Sequence, residues 1–173
     1  MPIPALPESM LPWFLLVQAV VGGSDTLFNH EIVARLPKRP ELRREVALHA
    51  VRESIYATLF IGLALFRWEG ALAWVPVALL AGEVMVTGTD ELIENRLRKL
   101  PDNERVMHVI LTLNLAFIIA LMVPIVGEWS ARPTGLVRSG YGLAGWILVA
   151  FGLASAAWSV RDGLAWVRLG RAQ

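Results

Sequence analysis

Residues that could bind a metal ion recur inside stretches of the chain that are otherwise apolar. "SDTLFNHE" brings Asp25 and His30 into the first such stretch, and "GTDELIE" brings Asp90 and Glu94 into the third. Imidazole and carboxylate groups are common protein ligands of iron, manganese and zinc. Cysteine is absent, which excludes thiolate sites, disulfides and cysteine nucleophiles. The residue types therefore favour a metal or proton site built from nitrogen and oxygen groups.

Two glutamate and histidine pairs add to this set. Glu45 and His49 lie in "EVALH", and Glu104 and His108 lie in "ERVMH". A spacing of four places both members of a pair on one helix face, and Glu53 extends the first face by another four residues. Glu53 is also the predicted catalytic base. The predicted metal ligands are Asp25, His30, His49, Glu53, Asp90, Glu94, Glu104 and His108.

Some of these residues have a purely structural alternative. On a regular α-helix, His30 and Glu31 point to different faces from Asp25, so at most one of them is expected to join the core. Glu45 and Glu104 lie close to the starts of their helices, where acidic residues commonly interact only with the helix dipole.

The cations available to neutralise these acids are few. Arg52 is the one arginine expected at the depth of the acidic residues, and Arg98 is expected to belong to a belt of charge outside the apolar stretches. One deep arginine cannot balance several carboxylates. Protons or metal ions are therefore the expected counter-charges.

The composition indicates which elements must position these residues. The chain has 173 residues, 55% of them hydrophobic, with a mean hydropathy of +0.54. About 20 helical residues span a bilayer, and five apolar stretches reach that length. The net charge of +1 gives no basic surface for nucleic acid. The predicted transmembrane helices cover residues 11–36, 41–66, 70–97, 103–123 and 136–169.

An internal repeat relates the first four helices. "GSDTLFN" matches "GTDELIE", and each copy is followed by a basic turn with Leu-Pro and then by a glutamate and histidine four apart. The repeat predicts two hairpins, residues 11–66 and 70–123, related by a pseudo-twofold axis along the membrane normal. The expected fold is an all-α integral membrane protein, residues 1–173, with a single transmembrane domain. Four helices form a bundle of two pseudo-repeated hairpins around a polar site, and a fifth helix packs beside them.

The basic residues predict the orientation in the membrane. "LPKRPELRRE" and "RLRKLPDNER" hold much of the positive charge, and basic connections face the cytoplasm. We therefore expect the N-terminus outside and the C-terminus in the cytoplasm.

The arrangement resembles the di-iron carboxylate proteins of the ferritin-like class, over roughly the first 125 residues. "NERVMH" also looks like the "NERMH" motif of the membrane-bound alternative oxidases, and this resemblance implies that Glu104 and His108 are ligands. The chain departs from that pattern in two ways. The spacing is four residues rather than three, and Asp25 stands where the class usually has glutamate.

The leading hypothesis is an integral-membrane metalloenzyme with two metal ions. Iron or manganese is favoured over zinc because the ligands are rich in carboxylates, and iron is the first choice. The enzyme would hydroxylate or desaturate a lipid-soluble substrate such as an acyl chain, an isoprenoid or a quinone. Membrane lipids and an electron donor are the other expected partners. Two other hypotheses stay open: a zinc-dependent intramembrane hydrolase, and a proton or divalent-cation transporter with a midplane acidic site. A small structural subunit with a polar network between its helices is a further alternative.

Overall fold

Five long helices account for most of the chain. The computed structural model describes residues 6–171. Each of the five helical segments is long and apolar enough to cross a membrane, by length and composition. The all-α class is therefore confirmed, and the five helices indicate an integral membrane protein. The helices are α1 Leu6–Asp25, α2 Arg43–Leu65, α3 Trp74–Leu97, α4 Asp102–Ser130 and α5 Gly142–Gly170.

The first apolar segment changes its helical form part-way along. After α1 the chain continues as a π-helix over Thr26–Ala34, which we call the π segment. The π segment ends at Arg35, whose backbone is left-handed with φ 53° and ψ 44°. Two single-turn 3₁₀ helices, Leu36–Lys38 and Pro40–Leu42, then lead into α2. Prolines in both turns prevent the first helix from continuing.

Two short strands join distant connections. β1 Phe66–Glu69 follows α2, and β2 Gly135–Arg138 follows α4. They pair antiparallel, with Phe66 opposite Arg138. This pairing was not predicted, because the partner strands are short and far apart in the sequence. It ties together the α2–α3 and α4–α5 connections at one end of the bundle.

The helices do not pack simply as neighbours in sequence. α1 packs chiefly against α4, and α2 packs against α3 and along α5. α5 also contacts α1, so it lies beside both helices of the first predicted hairpin. The pseudo-repeat of two hairpins is not confirmed by this packing.

The interior is divided into an apolar half and a polar half. Leu15, Leu63, Ile118 and Trp129 belong to a buried apolar cluster on the side of the two strands. All three histidines and most of the buried acids lie towards the other end, where the α1–α2 and α3–α4 connections carry the basic turns. We call this the basic end. The fold thus places the histidines and most of the buried acids between an apolar core and a basic surface.

Candidate metal centre

All three histidines of the chain come together in the polar half. His30 lies on the π segment, His49 on α2 and His108 on α4. The His30 ring centroid is 4.1 Å from that of His49 and 6.4 Å from that of His108. His30 and His49 are buried, and the His108 side chain is 17% exposed. Three separate elements therefore bring imidazole nitrogens to one place.

Asp25, His30, Glu104 and His108 form the first ligand set. The Oδ2 atom of Asp25 lies 3.2 Å from Nε2 of His30 and 3.4 Å from Nε2 of His108. The Oε1 atom of Glu104 lies 3.6 Å from Nε2 of His30. Ligand atoms at about 2.0 to 2.2 Å from a tetrahedral metal are separated by about 3.3 to 3.6 Å. These three separations are thus close to what a single ion requires, and all four ligand atoms lie within 4.8 Å of one another.

His30 reaches this set because of the π segment. On an α-helix, residues five apart point in different directions, whereas the i to i+5 pattern of a π-helix places them on one face. The expectation that His30 faces away from Asp25 is therefore wrong. Glu31 points elsewhere and forms an ion pair with Arg161 of α5. Only one of the two neighbours joins the core.

His30, His49 and Glu94 form the second ligand set, with candidate ligand atoms within 4.8 Å of one another. Asp90 lies beside it, with Oδ2 3.8 Å from Nε2 of His49. Several buried atoms here have no hydrogen-bond partner within residues 6–171, and an unpaired buried polar atom is costly and unusual in a folded interior. These atoms are His30 Nδ1, His49 Nε2, Asp90 Oδ1 and Glu94 Oε2. Unpaired nitrogen and oxygen atoms of this kind fit a bound cation.

A third group of candidate ligands overlaps the other two. Nδ1 of His108 lies 3.5 Å from Oε2 of Glu91 and 3.6 Å from Oε2 of Glu94. The Glu91 side chain is 51% exposed, unlike the members of the other sets. This group therefore extends the cluster of ligand residues towards the surface of the protein.

A chain of two hydrogen bonds fixes the position of the Asp25 side chain. Asn29 donates its side-chain amide to Oδ1 of Asp25 at 2.7 Å, and Asn103 donates to Oδ1 of Asn29 at 2.7 Å. Groups that orient a ligand in this way fix its free oxygen towards the site. Asp25 is consequently pre-positioned by residues of the π segment and α4.

Arg98 closes the cluster at the basic end. Its Nη2 atom lies 2.5 Å from Glu104, 2.8 Å from Glu45 and 3.2 Å from Glu94. Burial opposes the charge of Arg98, but hydrogen bonds to Glu104 and Glu45 outweigh it and raise its pKa. The expectation that Arg98 belongs only to a surface belt is therefore wrong. The chain turns Arg98 inward directly after α3, a local geometry that the basic pattern did not reveal.

Arg52 neutralises the acids of α3. It donates from Nη1 to Asp90 at 2.9 Å and from Nε to Glu83 at 3.3 Å. Two arginines thus serve a cluster with six buried carboxylic acids, which leaves a shortage of positive charge. The acids are Asp25, Glu45, Glu83, Asp90, Glu94 and Glu104. The cluster could therefore hold a metal ion.

A cavity of about 310 Å³ reaches the cluster from the apolar side. Its polar wall includes Asp25, His49, Asp90, Glu94 and His108. Its apolar wall includes Phe60, Leu111, Leu115, Phe151 and Trp158. An apolar chamber that ends at a polar cluster is the arrangement expected for a binding site of a lipid-soluble molecule.

Comparison with other proteins adds no assignment. No family model, curated protein or solved structure matches this chain.

Glu53 stands apart from the ligand sets. It lines the same cavity, and its Oε1 atom accepts a hydrogen bond from Thr26 at 3.4 Å. Candidate ligand groups among the described residues do not include it. The position of Glu53 therefore gives little support to its predicted role as a metal ligand. Its predicted role as a catalytic base stays a prediction.

Proposed function

We propose that the protein is an integral-membrane metalloenzyme with a dinuclear iron or manganese site, which hydroxylates or desaturates a lipid-soluble substrate. The observation that carries this proposal is the meeting of three histidines with buried carboxylates from four elements, several with unpaired atoms. The shortage of positive charge supports it further, because buried carboxylates must be neutralised.

The two overlapping ligand sets support the proposal that two neighbouring ions bind. His30 belongs to both, so ions bound to the sets would lie close together. The contacts also cross between the predicted repeats: Asp25 meets His108, and Asp90 meets His49. This crosswise pairing is what a pseudo-twofold relation between hairpins would produce.

The chain's own residues would bind and orient the substrate. Phe60, Leu111 and Phe151 provide an apolar wall for a hydrocarbon chain, and the reacting end of the substrate would lie at Asp25, His49 and His108. Arg52 is already paired with Asp90 and Glu83, so it offers no free charge to an anionic head group. A neutral substrate is therefore favoured. Glu53, on the cavity wall, would accept a proton.

Bound iron or manganese would supply activation of dioxygen. In hydroxylation, one oxygen atom enters a C–H bond and the other leaves as water, with two electrons and two protons from a donor. In desaturation, two hydrogens leave the substrate, and both oxygen atoms leave as water with the same supply of electrons and protons. An electron donor is therefore a required partner.

Zinc-dependent hydrolysis is the second candidate. The first ligand set contains two nitrogens and two carboxylate oxygens within 4.8 Å of one another, and this number and type of ligands suits zinc. Zinc would supply an activated water, and Glu53 would act as the base. Transport of protons or divalent cations through the same acidic site is the third candidate function.

Lipid analysis tests these functions. Membranes from cells that produce the wild-type protein are compared by mass spectrometry with membranes containing His108→Ala. A lipid product that gains one oxygen or loses two hydrogens supports oxidation, and cleavage products support hydrolysis. Metal or proton flux in proteoliposomes with unchanged lipids would contradict the enzyme proposal.

A matched pair of glycine variants can test whether the substrate binds in the cavity. A side chain added at Gly23 points towards the Phe151 ring, so Gly23→Leu fills the cavity, whereas Gly88 faces open space. Gly23→Leu should abolish product formation, and Gly88→Leu should leave it unchanged. Equal activity of the two variants would show that the substrate does not use this cavity.

A further inference from the structure

A second cavity lies at the basic end, away from the candidate metal centre. It has a volume of about 490 Å³ and opens between the end of the first helical segment and the last part of α5. Its lining is rich in cations. The residues are Glu31, Arg35, Pro37, Lys38, Arg161, Leu164, Ala165 and Arg168.

Most of its positive charge is uncompensated. Arg161 is paired with Glu31 and Asp162. Within residues 6–171, however, the side chains of Arg35 and Lys38 contact no carboxylate. Among the described residues, the Arg168 side chain donates only to the backbone carbonyl of Pro37, at 3.0 Å. The cavity therefore has an excess of positive charge that would attract an anion.

The backbone is held so that these cations stay at the cavity. Arg35 is the one non-glycine residue with positive φ in the described part of the chain. Left-handed backbone is unfavourable for such a residue and persists only where packing enforces it. Leu36, the next residue, is buried against Leu42, Ala165 and Leu169. This packing fixes the turn and with it the placement of Arg35 and Lys38.

The surroundings of the cavity indicate what kind of anion fits. Arg35 and Lys38 lie at the end of the first apolar segment, and Arg168 lies near the end of the fifth. Ile32, Val33 and Leu164 are large apolar residues exposed beside these cations. A ligand with a phosphate group and hydrocarbon chains would satisfy both surfaces.

We propose that this basic cavity binds the phosphate group of an anionic phospholipid, with the acyl chains lying along the exposed apolar residues. Clusters of lysine and arginine beside a membrane-spanning helix attract anionic lipids, and basic pockets between such helices hold their head groups. The proposal does not depend on the metal site, because the two cavities have no lining residue in common.

Native mass spectrometry of the full chain in detergent can test this site. Phosphatidylglycerol is titrated against the wild-type protein and against Arg35→Gln/Lys38→Gln, with phosphatidylcholine as the neutral lipid. Each removed cation should weaken phosphatidylglycerol binding about fivefold. The control Arg96→Gln/Lys99→Gln removes the same charge from the basic end outside the cavity, and should bind as the wild type does.

Several results would overturn the proposal. Equal weakening in the control pair would show that binding follows the overall charge rather than the cavity. Equal binding of phosphatidylcholine would remove the role of the anion. Inorganic phosphate that binds as tightly as phosphatidylglycerol would show a site for free phosphate. If the double variant does not fold, Lys38→Gln alone is titrated, and undiminished binding there would contradict the assignment.

Discussion

At the scale of single residues, the candidate centre depends on how a few charges are balanced. Arg98 contacts three carboxylates that are fully buried, and two of these, Glu94 and Glu104, also contact histidines. The Arg98 guanidinium and a bound metal ion would together neutralise these acids. Removing either cation should therefore increase the dependence of the fold on the other.

Arg98→Gln provides a test of this balance. Leaving buried acids without their partner should lower the free energy of unfolding by about 3 kcal/mol in metal-free protein. Added metal should restore more stability to this variant than to the wild type, because it replaces part of the lost charge. Thermal unfolding in detergent, with and without added Mn²⁺ or Zn²⁺, measures both effects.

Arg96→Gln is the matched control, since Arg96 is exposed two residues earlier on α3. It should unfold like the wild type under both conditions. An Arg98→Gln variant as stable as this control would show that Arg98 does not balance the buried acids.

At the scale of elements, the contact between α2 and α5 depends on a small residue. A Cβ atom added at Gly152 would lie 2.5 Å from Cγ1 of Ile61 and 3.3 Å from the backbone oxygen of Ala57. The two helices would have to move apart. Gly163, on the same helix, has open space around it.

Gly152→Ala is therefore expected to destabilise the bundle by about 1 to 3 kcal/mol. Gly163→Ala should be neutral or slightly stabilising, since alanine favours a helix more than glycine does. Unfolding of both variants in the same detergent gives the comparison. Equal stability of the two would mean that α2 and α5 do not pack as closely as described.

The elements also show what the sequence could and could not predict. Helix positions followed from apolar length and from prolines at the turns, because both effects are local. The placement of His30 did not follow, since nothing in "SDTLFNHE" distinguishes a π-helix from an α-helix. The inward turn of Arg98 and the pairing of β1 with β2 depend on contacts with distant parts of the chain. Residue types therefore indicated that a polar site exists, but the packing of distant segments determines which residues belong to it.

At the scale of the whole molecule, the distribution of basic residues predicts the orientation. The α1–α2 and α3–α4 connections should face the cytoplasm, with the N-terminus outside and the C-terminus inside. The chain contains no cysteine, so single introduced cysteines report without background. Ala131→Cys, between α4 and β2, should react with an impermeant maleimide on intact cells. Lys99→Cys should react only after lysis, and the reverse pattern would contradict the orientation.

Metal analysis of the purified protein tests the central proposal most directly. Protein prepared without a metal-affinity tag or chelator should contain about one to two metal ions per chain, because ions bound to both ligand sets would be integral to the bundle. His49→Ala and His108→Ala should each lose most of this metal. Asp102→Asn, an exposed acid on α4, should retain it. Less than about 0.2 metal ion per chain in folded wild-type protein would contradict the metalloenzyme proposal.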